Sequence, residues 1–85
     1  MAGPITEAVI VLADCAQADH DLVAVNHLYQ YVFDMTNHVT QAVIVENDLY
    51  DLLEYLNLLD YWLAGSASFT EDYLREYRND FEVAV

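Results

Sequence analysis

The 85-residue chain contains no lysine and only two arginines, against 15 aspartates and glutamates, which leaves a formal charge of −13. So little positive charge argues against direct binding to nucleic acid or to an anionic membrane, because both need Lys and Arg to neutralise phosphates. With two glycines in the whole chain, a glycine-rich phosphate cradle cannot be built. A single cysteine, Cys15, excludes an internal disulfide and is expected to be a small buried thiol. Long apolar runs are missing too. The longest clear one, Ala8 to Ala13, is six residues, and the opening MAGPITE has no basic stretch. Neither a signal peptide nor a membrane-spanning helix fits, so a reducing, intracellular (cytoplasmic) setting is the expectation.

What is present is apolar and aromatic. Hydrophobic residues make up 56% of the chain and seven residues are tyrosine. A disordered acidic tail lacks that apolar content, and the length allows one domain, residues 1–85. Pro4 and the pair Gly65–Ser66 are the main punctuation. Between Asp48 and Leu63, the residues Leu49, Leu52, Leu53, Leu56, Leu59 and Leu63 follow the three-and-four spacing of a helix face. Asp48 suits its N-cap and Gly65 its end. A second helix is expected over Asp21 to Met35, with Leu22, Val25, Tyr29, Val32 and Phe33 inward and Asp19 or Asp21 as cap. A third is expected to start at Ser68, whose spacing to Glu71 is that of a capping box. Its inner face would be Phe69, Tyr73, Tyr77 and Phe81.

Two near-copies, TEAVIVLAD at 6–14 and TQAVIVEND at 40–48, leave the fold class open between two readings. AVIV suits a buried strand, because β-branched residues favour sheet. Yet Ala8, Val11, Cys15, Ala18, Leu22, Val25, Tyr29 and Val32 form an unbroken helical series that would join the first copy to the next helix. The favoured reading is all-α, a small bundle of three to four helices. The alternative is a small α/β fold with AVIV strands.

Enzyme chemistry fails on inventory. The only serines, Ser66 and Ser68, sit beside the glycine turn, and Cys15 with His20 five residues on is not a nucleophile–base arrangement. His20, His27, His38 and Asp34 lack the His-x3-His or Glu-x-x-His spacing that brings ligands together on a helix. No catalytic residue, cofactor or metal site is therefore expected.

Charge and tyrosine carry the functional signal. Five acids precede residue 35, five lie between 46 and 60 and five between 71 and 82, so they are displayed along the fold rather than gathered in a tail. Size scaling gives a surface of roughly 5,000 Å². Spread evenly, fifteen acids would stand about 18 Å apart, beyond the physiological Debye length of about 8 Å. To present a field like that of DNA the fold must crowd them on one face, or a dimer must pool them. In the C-terminal helix, Glu71–Arg75 and Arg78–Glu82 are spaced to pair, which would leave Asp72, Glu76 and Asp80 as a like-charged stripe about 12 Å long. Asp48, Asp51 and Glu54 form a second group, at a helix N-terminus that favours them. Tyr50, Tyr55, Tyr61 and Trp62 lie mostly off the leucine stripe, and exposed Tyr and Trp are interface residues. The candidate partner-binding set is Asp72, Glu76, Asp80, Asp48, Asp51, Glu54, Tyr55 and Tyr61.

In size and acidity the chain resembles the phage-encoded DNA-mimic inhibitors of restriction, CRISPR and other host DNA-binding proteins. The resemblance is compositional, covers the whole chain and rests on no motif, so it transfers no residue roles. It implies steric and electrostatic blockade of a basic nucleic-acid-binding protein, with steered, salt-sensitive association, in the host cytoplasm if the chain is phage-encoded. Two other readings share the composition: an immunity protein or antitoxin against a basic nuclease, and an acidic oligomerisation domain. Self-repulsion at −13 predicts that salt stabilises the fold and that a homodimer or partner belongs to its normal state.

Overall fold

A computed structural model describes residues 3–37 and 48–84, and these form an all-α bundle of four helices. The helices are α1 (Pro4–Ala18), α2 (Leu22–Asn37), α3 (Leu49–Leu63) and α4 (Glu71–Asn79). The first AVIV copy lies inside α1, and there is no strand among the described residues. The second copy falls outside them apart from Asp48.

The helix ends follow from local chemistry. Pro4 stands in the first turn of α1, where its missing N–H costs nothing. The helical series that runs on past Ala18 is interrupted. His20 takes a positive φ of 52°, and the N–H groups of His20 and Asp21 donate back to the carbonyls of Gln17 and Ala16. Asp21 then caps α2 by accepting from the Ala24 N–H at 3.0 Å. Three consecutive polar residues favour this break, because the Asp21 carboxylate is worth more as a cap than inside a helix. Helix α3 ends in the same motif, with Gly65 at φ 76° and the Gly65 and Ser66 N–H groups on the Trp62 and Tyr61 carbonyls. A Cβ at Gly65 would meet nothing within 4 Å, so backbone conformation alone favours glycine there.

Of the expected caps, Asp48 does stand at the N-cap of α3, while Ser68 is corrected. Helix α4 starts at Glu71, not Ser68, because the extended Thr70 accepts from the Tyr73 N–H at 3.2 Å. Asp48 stands at the N-terminus of α3 with no side-chain cap bond. Its carboxylate instead accepts from the buried Thr6 hydroxyl of α1 at 3.1 Å.

Helix α3 is central and packs against the other three. It contributes Leu49, Leu52, Tyr55, Leu56 and Leu59 to the core, facing Val25 and Val32 of α2 and Val9, Ile10, Ala13 and Ala16 of α1. The inward face of α1 is thus not the one its Ala8–Val11–Cys15–Ala18 spacing suggested. Those four are all exposed, and Cys15 is a surface thiol. The segment after α4 folds back: Phe81 and Val83 are buried, and the Arg78 guanidinium donates to the Val83 and Ala84 carbonyls.

Candidate protein-binding surface

Where α3 meets α4, the aromatic residues form a continuous seam. Trp62 stacks on Phe69 at 6.3 Å, Phe69 meets Tyr73 at 5.6 Å and Tyr73 meets Tyr77 at 6.4 Å. Tyr77 then contacts both Tyr55 at 6.1 Å and Phe81 at 6.1 Å. Such pairs contribute about 1 kcal/mol each beyond their burial, which fixes the short α4 against α3. Tyr73 is exposed and Tyr77 half-buried, so the seam surfaces at α4.

Carboxylates flank it on both sides. Burial raises the pKa of the Tyr77 hydroxyl most, followed by its hydrogen bond to Glu54 of α3, with the charges of Glu54 and Asp51 and a small contribution from Tyr73 adding to the rise. On α4, Glu76 lies three residues from Tyr73 and Asp80 three from Tyr77, so helix geometry puts both on the flank next to the tyrosines. All four acids are exposed. The fold therefore brings members of both sequence-predicted acidic groups to one surface.

Three of the expected members are placed differently. Asp72 is not left uncompensated, because Arg75 donates to it at 2.8 Å as well as to Glu71 at 3.2 Å. Asp48 is half-buried and turned to Thr6 of α1. Tyr55 is fully buried and is a core residue, not an interface residue. Burial raises its pKa to about 12, with the Asp14 carboxylate adding to the shift and Arg78 opposing it. Its hydroxyl has no hydrogen-bond partner among the described residues. It lines a cleft of about 390 Å³ with Asp14, Gln17 and Arg78.

Tyr61 is exposed as expected, at 47%. It belongs to a row that spacing alone gives, Tyr50, Glu54, Asn57 and Tyr61, at intervals of four, three and four along α3. Tyr50, at 58% exposure, takes the place on this surface that Tyr55 does not fill. Tyr73, assigned to the inner face of its helix by sequence, is 45% exposed and joins it.

The two cations are directed away from this surface. Arg78 is buried and makes a two-pronged contact with Asp14 of α1, Nε to Oδ1 at 3.2 Å and an Nη to Oδ2 at 2.7 Å. That pairing raises its pKa further. Its expected partner Glu82 lies past the end of α4, at a positive φ of 59°, where helical spacing no longer applies. Arg75 lies on the opposite flank of α4 from Tyr73 and Tyr77, bound to Glu71 and Asp72.

Among the described residues no three His, Cys, Asp or Glu side chains converge as a metal site, and no helix is long and apolar enough to cross a membrane. His38, one of the three histidines considered, lies outside the described residues. Comparison with protein-family models, with curated proteins and with solved structures returns no match.

Proposed function

We propose that the α3/α4 surface is a docking face for a basic nucleic-acid-binding protein or complex, and that the chain inhibits that partner by occupying its DNA or RNA site. The observation that carries this reading is the arrangement at the seam. Asp51 and Glu54 lie beside the half-buried Tyr77, and Glu76 and Asp80 lie on the flank of α4 next to Tyr77 and the exposed Tyr73, while both arginines are held by other carboxylates. A surface of this kind attracts a cationic groove over a distance and then buries aromatic area on contact. It acts by occupancy, with no bond made or broken, in the compartment where the partner works.

The test is a pull-down with tagged protein from nuclease-treated lysate at low and high salt, with duplex DNA as competitor in one arm. A partner lost at high salt and displaced by DNA supports the reading, and a partner indifferent to DNA removes mimicry. The triple variant Glu54→Lys/Glu76→Lys/Asp80→Lys should weaken binding at least 100-fold. Its stability should change little, because the relief of like-charge repulsion offsets the lost Glu54 hydrogen bond to Tyr77. Wild-type affinity in that variant would move the site off this seam.

A further inference from the structure

The ring of Tyr55 is fully accounted for by the core, and its oxygen is not. The side chain is buried, and the hydroxyl has no hydrogen-bond partner among the described residues. A buried polar group in that state calls for a partner from outside the chain. A cleft of about 390 Å³ lies beside it, walled by Asp14 and Gln17 of α1, Tyr55 of α3, and Leu74, Arg78 and Asn79 of α4. Asp14 and Arg78 also stand near enough to the Tyr55 hydroxyl for their charges to act on its ionisation. The hydroxyl is therefore the end of the ring that faces the cleft. The volume falls within the range of small-molecule sites.

We propose that this cleft binds a small uncharged heterocycle of the nucleobase class, anchored on the Tyr55 hydroxyl. Charge sets the first limit. Both carboxylates of the lining are spent, Asp14 on Arg78 at 2.7 Å and Glu71 on Arg75 at 3.2 Å, so the cleft offers no unpaired charge to hold an ion. A chain of −13 also repels anions. Hydrogen bonding sets the second limit. Gln17 and Asn79 bring amides, each with a donor side and an acceptor side, which match the adjacent donor and acceptor on the edge of a base. The Tyr55 O–H adds a donor for a ring nitrogen or a carbonyl. The third limit is apolar. Leu74 and the Tyr55 ring give a wall for the face of a flat ring, whereas a sugar or polyol would leave hydroxyls unpaired against it. A base of about ten non-hydrogen atoms supports a dissociation constant on the order of 0.1–1 mM.

The inference is independent of the proposed function, because none of Asp51, Glu54, Glu76 and Asp80 lines the cleft. The test is a nuclear magnetic resonance titration of nitrogen-15-labelled protein with adenine, cytosine, adenosine and adenosine monophosphate, each to about 5 mM. The Gln17 and Asn79 side-chain amides should shift with the uncharged compounds, and the monophosphate should bind about tenfold more weakly or less. Adenine against adenosine distinguishes a free base from a nucleoside. Tyr55→Phe should weaken binding about tenfold with unchanged helical circular dichroism, because only the anchoring oxygen is lost. The seam variant Glu54→Lys/Glu76→Lys/Asp80→Lys should bind as the wild type does. No shift with any uncharged base or nucleoside, equal affinity for the monophosphate, or wild-type affinity in Tyr55→Phe overturns the inference. None of these outcomes bears on whether a basic partner binds the seam.

Discussion

A phenol buried without a hydrogen-bond partner stabilises a core through its ring and costs through its oxygen. Tyr55 is such a residue: fully buried, stacked on Tyr77 and edge-on to Phe81, with its hydroxyl unpartnered among the described residues. Tyr55→Phe keeps the ring and removes the desolvated oxygen, so it should stabilise the protein by about 1 kcal/mol in urea unfolding. A loss of stability would show that the hydroxyl is paired. The same residue sets an alkaline limit. Its folded pKa, raised to about 12 from 10, means that the folded state holds the proton more tightly than the unfolded chain. The associated stability is complete below pH 10 and is lost as pH rises from 10 towards 12. Tyr55→Phe should flatten that decline. The position was legible in the spacing, since Leu52, Tyr55 and Leu59 stand three and four apart on the leucine face. Reading tyrosine as an interface residue hid it, because a phenol is mostly ring and is buried on the same terms as a leucine.

The elements show where local pattern suffices and where tertiary contact decides. Helix α3 was legible almost to the residue, because a leucine face between an aspartate and a glycine has one solution. The break at 19–21 was legible only as two candidate caps, since the apolar series continues through it and the choice rests on His20 adopting a positive φ. The inward face of α1 was not legible at all. With apolar residues on both sides, the Ala8–Val11–Cys15–Ala18 stripe and the Val9–Ile10–Ala13–Ala16 stripe are equivalent until another helix covers one. Arg78 was assigned to Glu82 by spacing along one helix, whereas its partner Asp14 is 64 residues away. That pair ties α4 to α1, and Arg78 also holds the returning C-terminal segment through two carbonyls. Asp14 keeps about a third of its exposure, so Asp14→Asn should cost about 2 kcal/mol, less than the usual loss for a fully buried pair. Joined with Arg78→Met, it should cost less than the sum of the single changes, as a double-mutant cycle would record.

At the scale of the molecule, the sequence gives the total charge and the fold gives its placement. Eleven of the acids are exposed among the described residues (Glu7, Asp19, Asp21, Asp34, Asp51, Glu54, Glu71, Asp72, Glu76, Asp80 and Glu82). The only exposed cation among those residues, Arg75, is paired. Compaction therefore works against unbalanced repulsion, and the melting temperature should rise steadily between 10 mM and 500 mM sodium chloride. A flat response would mean that the acids are spaced widely enough not to interact. The candidate site was half legible on this scale. Both acidic groups were visible in sequence, but their convergence on Tyr73 and Tyr77 depends on how α4 lies across α3, which no periodicity encodes.

The two arginines have one more consequence. They are the only positions after which trypsin can cut this chain, and both lie inside α4, with Arg78 buried and held through its guanidinium. A protease must draw about ten residues into its cleft in extended form, so the native chain should survive digestion until α4 lifts from α3. Each cut then reports that single local opening, with no background from cleavage elsewhere. Asp14→Asn, at about 2 kcal/mol, should be digested about thirty-fold faster than the wild type at equal enzyme, in proportion to the increased population of the open form.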